Sequence, residues 1–136
     1  MTPSTATVLV DDLGQAFLAG DVEAVLGRLC SAGPIMYAGS EAGELAVGRA
    51  DLRSLLQDLF GRDERYSWES DTVHVVPCGT AVVLLADVTL HVHPYVDGAV
   101  GPVSESVPYR ISGALEHADD GWGWRMCQGS EPTVEA

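Results

Sequence analysis

Trp122-Gly123-Trp124-Arg125-Met126-Cys127-Gln128-Gly129-Ser130 closes the chain as a strand-like run leading into Glu131-Pro132. It is the last of four stretches in which apolar and polar residues alternate with period two, the others spanning 66–76, 81–93 and 107–117. Turn chemistry separates them: Pro77-Cys78-Gly79-Thr80, a loop from Pro94 to Pro102 containing Asp97-Gly98, and Asp119-Asp120-Gly121. Consecutive strands joined by such short turns form an antiparallel sheet.

Upstream the period changes to 3.6. Leu9, Leu13, Ala16 and Phe17 form one helical stripe within 8–19, and Gly20-Asp21 then supplies a stop and an N-cap. A second stripe, Val22, Val25, Leu26 and Leu29, ends before Gly33-Pro34, which no helix crosses easily. Ile35-Met36-Tyr37-Ala38 reads as a short strand, followed by a Gly-, Glu- and Ser-rich excursion over 39–48. From Ala50, the residues Leu52, Leu55, Leu56, Leu59 and Phe60 make the clearest helical stripe, with Gly61 where a left-handed C-cap would sit. Three helices gathered before a sheet give an α+β layout, the helices covering one face of a curved sheet.

At 136 residues the chain is expected to be one domain over 1–136, with a loose tail over 133–136. Twenty acidic residues against seven basic ones give a formal charge of -13, which repels phosphate backbones and anionic lipid, so nucleic acid is excluded as a partner. No stretch approaches the ~20 apolar residues of a membrane span and no secretory leader pattern opens the chain, so no membrane partner and a cytoplasmic location are expected. Cys30, Cys78 and Cys127 are odd in number and widely spaced, which points to reduced thiols, with neither a disulfide framework nor a thiolate zinc site.

The order helix, helix, short strand, helix and four long strands resembles the nuclear transport factor 2-like superfamily, and more narrowly its SnoaL-like branch. Gly20-Asp21, Gly39-Ser40-Glu41-Ala42-Gly43-Glu44 with Val47-Gly48-Arg49, Tyr66-Ser67-Trp68, Pro108-Tyr109-Arg110 and Trp124-Arg125 with Gly129-Ser130 carry the likeness. The resemblance implies a cone: a curved antiparallel or mixed sheet whose concave face, closed by three N-terminal helices, encloses a small hydrophobic or polycyclic ligand. It also implies pairing into a homodimer through the outer sheet face and chemistry without a cofactor, of the ketosteroid isomerase, polyketide cyclase or dehydratase type. Such folds host many reactions, so the side chains in the cavity decide.

Alternation sorts candidates by face. In the second long strand Val82, Leu84, Ala86, Val88, Leu90 and Val92 share one side, and Val83, Leu85, Asp87, Thr89, His91 and His93 the other. If the mixed side lines the cavity, Asp87 is a desolvated carboxyl suited to general acid or base work, with Tyr37 and His74 as hydrogen-bond partners. If that side faces outward, Asp87 is a solvated residue or part of a dimer contact. Tyr37, Trp68, Tyr109 and Trp124 supply aromatic walls with Phe60 as a further ligand contact, Arg110 an orienting charge or the partner of a carboxylate such as Glu131, Glu69 or Asp87, and Gln128 with Ser130 polar contacts. His91 and His93 form a His-x-His pair without a convincing third ligand, so no metal site is expected and His91 is retained as a ligand contact. Glu41 and Glu44 sit where a loop can lid the mouth. No Gly-x-Ser-x-Gly elbow supports a nucleophilic triad. The alternative to an enzyme is a non-catalytic ligand-binding or assembly module.

Overall fold

The computed structural model describes residues 1–133. Its elements run α1 Pro3–Ala19, α2 Val22–Leu26, β1 Met36–Ala38, β2 Leu45–Val47, α3 Arg49–Phe60, β3 Glu64–Cys78, β4 Ala81–Val96, β5 Ala99–Val100, β6 Glu105–Ala118 and β7 Gly121–Ser130. The order across the sheet is β2-β1-β7-β6-β4-β3, with β5 paired to β4. All neighbours are antiparallel except β1 and β7, which run parallel, so the sheet is mixed. Of the expected tail only Thr133 falls among the described residues.

Each expected helix and long strand forms, with differences at the ends. The second helix stops at Leu26, and the chain then lies along the sheet, where Cys30 N–H donates to Trp124 O at 3.0 Å and Trp124 N–H to Arg28 O at 3.0 Å. Gly20 adopts φ 64 and donates to Phe17 O, as a left-handed cap requires. Gly61 instead stays right-handed at φ -82, so the cap expected there does not form. The excursion over 39–48 contains β2, and the Asp97-Gly98 turn, with φ 54 and 74, holds β5 against β4.

Helix α1 docks on β3 through three polar contacts around an apolar seam. Trp68 Nε1–H donates to Val10 O at 2.7 Å, while Asp11 Oδ1 accepts from Ser70 N–H at 3.1 Å and from Ser70 Oγ–H at 2.7 Å. Ala6, Val10, Leu13 and Phe17 of α1, Leu52 and Leu56 of α3, and Leu84, Ala86, Val88, Ile111 and Leu115 of the sheet form the core. The alternating strands therefore turn their uniformly apolar side toward the helices.

Two β-bulges bend the sheet and change which residues face inward. One lies between Ser70 and Thr72, the other opposite Ala114 and Leu115, where β7 carries Arg125 as an extra residue between Trp124 and Met126. Before the first bulge Tyr66 and Trp68 point inward; after it Val73 and Val75 do, and His74 and Val76 turn to solvent. The second leaves Trp124 buried while Met126, Gln128 and Ser130 face out.

Candidate functional site

A hollow of about 250 Å³ opens between the helices and the concave face of the sheet. Register explains why the space exists. The floor is Cys127 with Ile111 and Gly129, which stand opposite each other across β6 and β7, and Gly129 leaves room there for the ring of Tyr109. Gly129 is required there, since a Cβ would lie 2.7 Å from the Cε2 and Cζ atoms of Tyr109. The walls are Phe17 from α1, Tyr37 from β1, Leu59 from α3, Tyr66 and Trp68 from β3, and Leu90, Val92 and Val107 from β4 and β6. Phe17 organises the aromatic side: its ring centroid lies 5.2 Å from Trp68, 6.0 Å from Tyr37 and 5.9 Å from Phe60.

Polar groups enter from the rim. Glu41, Glu44, Glu64, Glu105 and Glu131 border the cavity with Arg62 and Ser40. A tight turn fixes Glu44: its N–H donates to Glu41 O at 2.9 Å, its carbonyl accepts from Gly39 N–H at 2.7 Å, and its Oε1 accepts from Glu41 N–H at 3.2 Å. Gly39 admits this packing, because a Cβ there would come within 2.8 Å of Glu44 Cδ. Burial pushes the Glu44 carboxyl above its ordinary value, against the opposing pull of the Glu41 N–H.

The phenols and the thiol respond in the same direction. Burial pushes Tyr37 well above its usual value and raises Tyr109, and both sense the Glu44 charge and the Cys127 thiol beside them. Burial, then the hydrogen bond that Tyr66 donates to Glu64 Oε2 at 2.7 Å, pushes Tyr66 up to about 12. Burial alone pushes Cys127 up to about 12, so the thiol stays protonated and is no nucleophile at neutral pH. The cavity thus offers one half-buried carboxyl and two neutral hydroxyls not committed to a carboxylate, those of Tyr37 and Tyr109: groups able to take a proton and to hold an oxygen, among aromatic and aliphatic walls.

Tyr37, Trp68 and Tyr109 line this cavity. Asp87 does not. It stands on the outer face, half exposed, opposite Arg110 across β4 and β6, and accepts from Arg110 Nε–H at 2.8 Å. Arg110 is therefore the partner of a carboxylate and is turned away from the hollow. His74 is exposed on the same outer side, moved there by the bulge at Asp71. His91, also outside, bonds Ser106 Oγ at 2.7 Å, and His93 bridges Ser67 Oγ at 2.9 Å and Gly101 O at 3.1 Å. Gln128 is exposed, and Trp124 is core, 1% exposed and outside the cavity lining. Phe60 packs edge-on against Phe17, behind the wall. Among the described residues no group of three or more His, Cys, Asp or Glu is placed to hold a metal ion.

Residues absent from the sequence-based site are Phe17, Tyr66, Cys127 and the rim carboxylates Glu64, Glu105 and Glu131, while Glu41 and Glu44 entered it only as part of a lid. Glu44 had a signal, its place in the loop before the third helix; Tyr66 shares its strand parity with Trp68.

The sequence profile of the SnoaL-like domain matches residues 7–133. No curated protein matches the chain. Among solved structures, a candidate dehydratase of the NTF2-like family from Streptomyces avermitilis superposes with a TM-score of 0.77 at 16% identity, covering 98% of this chain and 100% of that one. An NTF2-like superfamily protein from Salmonella enterica serovar Typhimurium gives 0.76 at 12%, covering 98% and 92%. A candidate aromatic ring hydroxylase from Novosphingobium aromaticivorans gives 0.71 at 18%, covering 98% and 94%. At these identities the likeness establishes the cone fold. No helix among the described residues is long and apolar enough to cross a membrane.

Proposed function

This chain belongs to the SnoaL-like domain family, and from that premise we propose that it encloses a small, mainly apolar molecule of one or two rings and moves a proton on it without a cofactor. The observation that carries the reading is the pairing of a hollow of about 250 Å³, walled by aromatic and aliphatic side chains, with a carboxyl, Glu44, that burial biases toward holding a proton. The volume lies just below the ~300 Å³ at which ligand pockets commonly begin, which favours a bicyclic guest over a four-ring one. Glu44 is the general base or acid, and the neutral phenols of Tyr109 and Tyr37 donate hydrogen bonds to an oxygen that gains charge as the proton leaves. Trp68 and Phe17 hold the ring. The likeness to a candidate dehydratase agrees with proton-transfer chemistry and names no substrate.

A direct test follows deuterium uptake at the α-carbon of a bicyclic ketone such as 2-tetralone by NMR. The protein should accelerate exchange, and Glu44→Gln should lower that acceleration by about 10²–10⁴-fold. Exchange untouched by Glu44→Gln removes Glu44 from the mechanism and leaves a binding protein.

We also propose that two copies pair through the outer sheet face. One cross-strand row on that face is apolar from edge to edge: Val76 opposes Val83, Val83 Ala114, Ala114 Met126, Met126 Met36, and Met36 Val47. Val76, Val83, Met36 and Val47 are 63%, 48%, 48% and 60% exposed. A continuous exposed apolar band of this kind marks a contact surface. Sedimentation should show a dimer that Val83→Glu dissociates, and a monomeric parent protein would refute the pairing.

A further inference from the structure

We propose that the guest carries a positive charge: a ring-sized apolar molecule bearing an amine, its body inside the cavity and its ammonium at the mouth. The inference rests on the cavity reading above and names the ligand class of that same site. Glu44, half-buried at the edge of the cavity, is the deepest charge it holds. Below it the walls are aromatic and aliphatic side chains with uncharged tyrosine hydroxyls, and the Cys127 thiol, 4% exposed, lines them without a hydrogen-bond partner among the described residues. The rim is built differently. Glu41, Glu44, Glu64, Glu105 and Glu131 border the opening against one guanidinium, Arg62, which lies 3.8 Å from Glu41.

These carboxylates come from separate parts of the chain. Two belong to the turn before β2, one opens β3, one opens β6 and one follows β7, so folding gathers them around the mouth. Negative charges ringing a low-dielectric hollow focus a negative potential into it, strengthened by the formal charge of -13 on the whole chain. An anionic guest meets repulsion as it loses water. A neutral guest gains only apolar burial, whereas an ammonium gains the carboxylates and the π-faces of the aromatic wall below them. The same wall and rim select a cation twice, by two unrelated interactions.

Three molecules on one skeleton separate the terms: 2-aminotetralin, 2-tetralol and tetralin-2-carboxylate, titrated against the full chain by calorimetry and by Trp fluorescence. The amine should bind with one-to-one stoichiometry and at least about tenfold more tightly than the alcohol at low salt, displace the alcohol competitively, and lose most of that preference at 1 M NaCl. The carboxylate should bind least. In the double variant Glu105→Gln with Glu131→Gln, both exposed residues, the preference for amine over alcohol should shrink. An alcohol that binds as tightly as the amine, or a carboxylate that binds best, overturns the charge assignment and leaves the cavity reading standing. An amine that fails to saturate, or fails to displace the alcohol, sits on the acidic surface and overturns it equally. If none of the three binds, the cavity reading falls as well.

Discussion

Replacing Gly129 by alanine tests how the hollow is made. The new Cβ would stand 2.7 Å from two ring carbons of Tyr109 and nearer still to its hydroxyl, whereas ordinary contacts begin at 3.4 Å. The backbone at Gly129 lies in a β-ladder opposite Ile111 and is held in place. The ring must therefore retreat by at least about 0.7 Å, and the free space it can enter is the cavity. Forcing an extra methyl group into a packed site costs about 1–3 kcal/mol. For a chain of this size that lowers Tm by roughly 3–12 °C. The loss of binding should be larger in proportion, about tenfold or more for a bicyclic probe, because the displaced ring occupies the volume the probe needs. Thermal denaturation and probe titration, run together on Gly129→Ala, measure both effects. Tyr109→Phe in the same background removes the nearest contact and should recover part of the lost Tm. A variant with unchanged Tm and unchanged affinity would refute the placement of Tyr109 over Gly129.

Gly20→Ala should destabilise by about 2–4 kcal/mol, combining the cost of a left-handed alanine with overpacking against buried Arg65, whose Cζ would stand 2.9 Å from the new methyl; chemical denaturation measures it. Asp87→Asn should leave exchange activity unchanged and cost no more than about 1 kcal/mol, as suits a half-exposed ion pair, and a drop in turnover would return Asp87 to the mechanism. Glu44→Gln should alter the dependence of stability on pH. A carboxyl raised in the folded state binds more protons there than in the unfolded chain, so its contribution is greatest below the unfolded value of 4.5 and is lost as pH rises through the folded value. Thermal scans across that window should show the variant losing less stability with rising pH than the parent.

The helical stripes and the period-two strands were legible because burial on one face imposes each repeat over many residues. The Asp97-Gly98 hairpin was legible for a different reason: both residues take positive φ, which few others do at low cost. What the chain concealed was parity. Each bulge adds a single residue, Asp71 in β3 and Arg125 in β7, and neither residue announces the insertion. One added residue reverses every later side chain in its strand. His74 thus moved from the Trp68 side to solvent, and Trp124 was separated from Met126, Gln128 and Ser130. The face of Asp87 could have been chosen from β4 itself, whose other side is apolar without exception from Val82 to Val92; a strand beneath helices presents its uniformly apolar face to them. Glu44 escaped selection because a loop carboxylate is ordinarily solvated, and only the turn that holds it against Gly39 brings it to the cavity.

The measurement that bears most directly on the central claim is a crystal structure of the chain grown with 2-tetralol or 2-aminotetralin. We expect density for one bicyclic ring system between Trp68, Phe17 and Tyr109, with its polar group toward Glu44. A hollow filled by the protein's own side chains, with the probe elsewhere or nowhere, would contradict the account.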